Sequence, residues 1–218
     1  MTDSTKRMGF TLTPDSMNFA EDFVPAPATI VETRQSAVFL GADLLSDGSL
    51  ATMTLMARVV QAKAVVEIGT GTGATGLAFF AGMTDDGVLT SIDPEADRQH
   101  EARRAFTNAG IAARRFRLIN GIPLEVLPKL QDGSYDVVLI NGDKLEYVEY
   151  FDQALRLLRH GGVIIMNHAL WKGLVADVDN EDDETVIIRE ALEAVSATEE
   201  LTTALIPLGD GLLISIKG

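Results

Sequence analysis

The sequence predicts an α/β domain: a mostly parallel sheet, helices on both faces, and an antiparallel hairpin at the C-terminal end. Three observations predict it. Short β-branched runs alternate with helical patterns from residue 65 onward, the pattern of a parallel sheet buried on both faces. A glycine-rich turn, Gly69 to Gly76, joins the first run to the first of those helices. The last two apolar runs are separated only by Leu208-Gly209-Asp210-Gly211, which suits a hairpin.

Taken in order, residues 1 to about 30 carry Pro14, Pro25 and Pro27 among scattered apolar residues. They read as an irregular arm with one short helix, and the arm is assigned to 1–34, ahead of a single domain over 35–218. From Gln35 to Gln61 the spacing of Val38, Leu40, Leu44, Leu45, Leu50, Met53, Leu55, Met56 and Val59 predicts two helices broken near Asp47-Gly48. Strands are predicted over Val65–Ile68, Val88–Ile92, Phe116–Ile119, Val137–Ile140 and Val163–Met166, with helices over 74–82, 95–109, 123–130 and 145–159 between them. Leu201–Pro207 and Leu212–Ile216 form the hairpin. The acidic run Asp177–Glu184 lacks the glycine that a calcium loop needs at its turn, and reads as a solvated loop leading into a helix.

A chain of 218 residues suits one well-buried domain, and 46% hydrophobic against 23% charged residues is ordinary for a soluble protein. No apolar run reaches the length of a membrane span, and Met1–Arg7 is followed by no apolar segment, so no signal peptide is expected. With no cysteine there is no disulfide, thiolate nucleophile or Cys-based zinc site. A cytoplasmic location is expected. The formal charge of −14 argues against a nucleic-acid partner, since phosphate binding needs a basic surface.

Val65-Val66-Glu67-Ile68-Gly69-Thr70-Gly71-Thr72-Gly73-Ala74-Thr75-Gly76 carries the chemistry. A strand, a glycine turn and a helix start bring backbone N–H groups close to a ligand. Gly71 to Gly76 satisfies G-x-G-x-x-G, and Asp93 ends the next strand where a carboxylate can accept both ribose hydroxyls. That much fits a dinucleotide. Glu67 favours S-adenosylmethionine, because a carboxylate there repels a pyrophosphate but pairs with the ammonium of a methionine moiety. The helices ahead of the first strand point the same way. A tight turn with no ligand is the third reading.

The chain resembles the small O-methyltransferase family of the catechol and caffeoyl-CoA enzymes and their bacterial relatives. The resemblance runs from about Gly41 to the C-terminus, through Glu67–Gly76, Leu89–Asp93, Leu124–Pro128, Asp136–Lys144, Leu157–Trp171 and Leu205–Leu212. It implies a Rossmann-like, seven-stranded class I methyltransferase fold, S-adenosylmethionine as methyl donor, a small-molecule acceptor and, usually, a homodimer. By matching position, Glu67 would hold the methionine amino group. Gly69, Thr70, Gly71, Gly73 and Thr75 would form the cofactor loop, and Asp93 would take the ribose. Asp143 falls at a family cofactor position, Leu45 gives a backbone contact, and Asn141 and Ile122 border the same site.

The chain departs from that family in two places. Its relatives hold a divalent cation with two aspartates and an asparagine; the matching positions here are Asn141, Asn167 and His168. Both expected carboxylates are amides, a poor set for the hard cations Mg²⁺ and Ca²⁺, and one imidazole with two amides is thin for zinc. Loss of the metal is therefore expected. At the adenine, Gly121-Ile122-Pro123 stands where relatives read Gly-Asp-Ala; Ile122 has no acceptor and Pro123 no N–H.

Methyl transfer needs the acceptor oxygen deprotonated and in line. Lys144 matches the family's proton-accepting lysine, and equally suits a surface lysine at a helix start. Without a metal, Lys144 or His168 would activate the acceptor; His168 can equally be a polar residue satisfied at a strand end. Trp171 and Tyr147 match aromatic positions near the substrate mouth, or pack. A protein that binds the cofactor without catalysis is the second reading, and a dehydrogenase the third.

Overall fold

The structure, a computed structural model, describes residues 13–218. The absence of a signal peptide and the first part of the arm concern residues 1–12, outside the described residues. Helix α1 (Pro14–Glu21) is capped by Thr13, whose hydroxyl accepts from Ser16 N, and Pro14 sits at its start, where a missing N–H costs nothing. It is the short helix expected of the arm. Helix α2 (Ala28–Phe39) buries Ile30, Thr33 and Ala37, so the assigned boundary between 34 and 35 falls inside it. Helix α3 (Asp47–Val59) is capped by Ser46, whose hydroxyl accepts from Ser49 N at 3.1 Å. The helix break expected near Asp47-Gly48 thus lies earlier, across 40–46. Asp47 instead occupies the first turn of α3, where its charge complements the N-terminus.

The alternating region follows as β1 (Ala64–Ile68), α4 (Ala74–Gly82), β2 (Val88–Asp93), α5 (Ala96–Asn108), β3 (Phe116–Asn120), α6 (Pro123–Val126), β4 (Tyr135–Ile140), α7 (Tyr147–Leu157), β5 (Leu158–Met166) and α8 (Asp183–Ala197). The helix expected over 123–130 is α6 plus a 3₁₀ turn, Leu127–Lys129, because Pro128 cannot donate to a continuing helix. The helix expected over 145–159 ends at Leu157, and β5 begins at once, earlier than expected. Strands β6 (Leu201–Ile206) and β7 (Leu212–Lys217) form the hairpin. The acidic run leads into α8, whose first turn holds Asp183 and Glu184.

The sheet has seven strands in the order β3-β2-β1-β4-β5-β7-β6. The first five are parallel; β7 pairs antiparallel with both β5 and β6. Successive strand side chains point to opposite faces, so each central strand feeds two apolar layers. Val65, Val137 and Leu139 pack under α3, α4 and α5 with Met53, Phe79 and Phe106. Val66, Val138 and Ile140 pack with Tyr147, Tyr150, Phe151 and Ile188 of α7 and α8. That two-sided burial is why the strands read as continuous β-branched runs.

Chain order reverses between β1 and β4. The β1–β2 and β4–β5 crossovers leave in opposite directions, and a crevice opens at the carboxyl ends of the two strands, where open α/β sheets bind ligands.

Candidate active site

A cavity of about 610 Å³ occupies that crevice, within the range of small-molecule sites. One wall is the turn after β1. Gly69 has φ +92, and a Cβ there would stand 2.2 Å from Asn141 O, so only glycine lets this turn cross the end of β4. Gly71, Thr70 and Thr75 face the cavity beside Gly69; Gly73 caps α4 from behind. Asp93, at the end of β2, also lines it. Its two oxygens accept from Gly71 N at 3.1 Å and Glu95 N at 2.9 Å, while burial raises its pKa.

Glu67 lies beneath the floor and is fully buried. Ser91 donates to one oxygen at 2.5 Å, and the Thr75 hydroxyl donates to the other. Burial still dominates and pushes its pKa up to about 7. Leu45, Ile122, Asn141 and Asp143 line the cavity. Ile122 is half exposed there, and Pro123 is buried beside it. Asp143 caps the turn into α7, accepting from Leu145 N at 3.0 Å.

The far end holds the residues expected to act on an acceptor. Lys144 Nζ is 3.0 Å from Asp43 Oδ2 and 5.6 Å from the centre of the Trp171 ring. His168 lies behind them and faces a second cavity of about 370 Å³ with Asn167, Asp210, Arg34 and Leu45. Its Nδ1 is 2.8 Å from Asp210 Oδ2. Its Nε2 is 3.2 Å from Asp43 Oδ2 but off hydrogen-bond alignment, and that buried nitrogen has no hydrogen-bond partner among the described residues. The His168 ring first, and then the Lys144 ammonium, hold the Asp43 carboxyl well below the usual carboxylate range.

Sequence reasoning missed several of these groups. Asp43 sits in the loop after α2, and Thr33, Arg34 and Ala37 of α2 itself form a cavity wall. Arg98 of α5 ties that loop down, donating to Gly41 O at 3.0 Å. No local motif marks them; the only sequence signal is the helical spacing that begins at Gln35, with the residues before it assigned to the arm. Tyr147 is fully buried, donating to Asn167 O at 3.0 Å, and takes the packing reading. Trp171 lines the cavity.

A sequence profile of the O-methyltransferase family matches residues 42–218. The chain belongs to this O-methyltransferase family. A protein of Mycobacterium sp. (strain JLS) with a provisional O-methyltransferase name is 42% identical over 198 residues, spanning 91% of this chain and 90% of that protein. A solved Corynebacterium glutamicum protein superposes with a TM-score of 0.86 at 28% identity, covering 92% of this chain and 94% of its own. The O-methyltransferase TomG of Streptomyces achromogenes, involved in tomaymycin synthesis and solved with SAM, shares the fold, with a TM-score of 0.84, 24% identity and coverage of 94% and 96%.

Within this O-methyltransferase, the donors at the family's metal position do not fit a hard divalent cation. Asn167 Nδ2 donates to Asn141 Oδ1 at 2.9 Å, so that oxygen already has a partner. The His168 ring is committed to Asp210, and the other carboxylate beside that ring, Asp43, is paired with the Lys144 ammonium. Hard cations need free oxygen donors and carboxylate charge. The cavity around Asp93 and the glycine turn does fit an adenosyl cofactor: a buried carboxylate, glycine-lined backbone and the apolar Ile122 surround it.

Proposed function

We propose that this chain is an S-adenosylmethionine-dependent O-methyltransferase of a small molecule that activates its acceptor without a divalent cation. One observation carries the reading: a glycine-walled cavity with Asp93 at one end and the Lys144–Asp43–His168 cluster beside the other. Family membership favours the methyl donor over the dinucleotide that the glycine turn alone left open. Asp93 would take the ribose hydroxyls, Ile122 would lie against the adenine, and Glu67 beneath the turn would supply the charge for the amino group. When bound, S-adenosylmethionine supplies an electrophilic methyl group.

The chain's own residues do the rest. Lys144 presents a cation where a developing oxyanion needs stabilisation, in the place where relatives present a metal. Lys144 would receive the acceptor's hydroxyl proton as its neutral amine and so become that cation, the bonding electrons staying on oxygen, with His168 behind the Asp43–Lys144 pair as the other candidate base. The homodimer and cytoplasmic location belong to the same reading. Val38 and Phe39 at the end of α2, with Phe19 and Phe23, stand exposed, apolar area that a second copy would cover.

Calorimetry with S-adenosylhomocysteine and with NAD, and a methyl-transfer assay on a panel of phenols with and without chelator, test this. Binding of S-adenosylhomocysteine but not NAD, with chelator-insensitive transfer, is expected. Transfer abolished by chelator and restored by Mg²⁺ would refute metal-independent activation.

A further inference from the structure

The segment from His168 to Gly173 carries an unusual backbone. His168 (φ 57), Trp171 (φ 45) and Lys172 (φ 57) are all left-handed, and none is glycine. Side chains avoid that region, so three such residues in five positions persist only where surrounding structure holds them. Trp171 and Lys172 make no use of it locally: the 3₁₀ turn Trp171–Ala176 is kinked at Lys172 and Gly173.

The holding structure is the β6–β7 turn. Because β7 runs antiparallel to β5, with Leu213 opposite Met166, the start of β7 lies beside the point where β5 ends. Asp210 in that turn reaches the segment with three acceptors. Its Oδ2 takes His168 Nδ1 at 2.8 Å, its Oδ1 takes the Lys172 backbone N–H, and its carbonyl takes Leu170 N at 2.9 Å. Gly211 O adds Ala169 N at 3.1 Å. A Cβ on Gly211, which has φ +87, would stand 2.5 Å from Leu170 Cγ, so the approach demands glycine.

The turn itself does not use the Asp210 side chain. It closes through Gly211 N donating to Leu208 O at 2.8 Å. Both carboxylate oxygens of Asp210 are spent on the neighbouring segment. The consequence lies at the acceptor end of the cavity: the left-handed residues aim Trp171 into it, edge-on to the His168 ring at 6.0 Å, with Lys144 and Lys172 over its face.

We propose that Asp210 is a positioning residue for methyl transfer: it holds His168, Trp171 and Lys172 in the conformation that shapes the acceptor end of the site. This rests on the proposed methyltransferase reading for its functional consequence, and on geometry alone for the bracing itself. The two are separable by experiment, because Trp171 is the only tryptophan in the chain and reports on the segment without any substrate.

The test compares the wild-type protein with Asp210→Ala, Asp210→Asn and the double variant Asp210→Ala with Lys172→Gly. Folding is checked by circular dichroism and cofactor-site integrity by calorimetry with S-adenosylhomocysteine. Asp210→Ala is expected to shift Trp171 emission to longer wavelength and to raise its quenching by acrylamide, with S-adenosylhomocysteine affinity unchanged. Transfer to any phenol the wild type methylates should fall on the order of a hundredfold in kcat, the scale of a misplaced group near the chemistry. Asp210→Asn, which keeps an acceptor for Lys172 N–H, should retain wild-type emission. Lys172→Gly in the Ala background should restore it, since glycine adopts φ > 0 without a brace. Wild-type emission and quenching in folded Asp210→Ala overturns the proposal, as does an emission change that glycine at 172 fails to reverse. If Asp210→Ala does not fold, Asp210→Glu, one methylene too long, takes its place with the same two outcomes. Failure of the wild type to bind S-adenosylhomocysteine would sink the methyltransferase reading instead, leaving the emission results to decide the brace.

Discussion

Asp43 Oδ2 lies 3.0 Å from Lys144 Nζ although the two residues are 101 positions apart. The contact joins the loop after α2 to the turn after β4, and sets a carboxylate and an ammonium side by side on the cavity wall. The pair gives Lys144 a fixed position over Trp171 that its four-carbon stem would not hold by itself.

Lys144→Met should therefore cut kcat by about a hundredfold, the usual worth of a positioned proton-transfer group. Affinity for S-adenosylhomocysteine should hold. Single-turnover methyl transfer on a phenol accepted by the wild type, set beside calorimetry, measures both. Equal loss in the two would assign Lys144 to cofactor binding.

Glu67 gives a pH dependence with a definite sign. Its pKa is raised by burial to about 7 from 4.5, so between those values the folded state binds more protons than the unfolded one. Stability then falls as pH rises from 4.5 through 7. In the cofactor-free protein, Glu67→Gln should remove that penalty. It should gain on the order of 3 kcal/mol at pH 8 relative to its effect at pH 4. Denaturant unfolding at the two pH values checks it; an equal effect at both would exclude a buried charge cost.

Gly69 has no room for a side chain. Gly69→Ala places a Cβ 2.2 Å from Asn141 O in a left-handed residue. A loss of about 2–4 kcal/mol is expected, seen as a Tm drop on the order of 10 °C. A variant as stable as the wild type would show that the turn can move off β4.

Ile122 is half exposed at the cavity, so a polar residue can replace it without a buried cost. Ile122→Asp would return the acceptor that relatives place near the adenine amino group. One added hydrogen bond of about 1 kcal/mol should tighten S-adenosylhomocysteine about fivefold in calorimetry. Weaker binding would mean that the adenine does not lie against residue 122.

The sheet was legible because two-sided burial leaves a local mark. Val65–Ile68 and Val137–Ile140 are apolar at every position but Glu67, and the one exception is the buried acid under the glycine turn. Helix ends were less legible. The break placed at Asp47-Gly48 followed the usual meaning of that dipeptide, but Ser46 supplies a cap that makes it a helix start. At the site, the cofactor turn was readable because its glycines and Asp93 carry their reasons in local backbone geometry.

By itself the sequence determined the parallel α/β order, the glycine turn and the presence of amides at Asn141 and Asn167, all facts of residue identity and local spacing. Only the tertiary structure decided what stands there. Antiparallel entry of β7 beside β5 carries Asp210 to His168 across 42 positions, and the packing of α2 and α3 on the sheet brings Asp43 to Lys144. Contacts between side chains so far apart in the chain leave no periodicity to read; they exist only once the layers have packed.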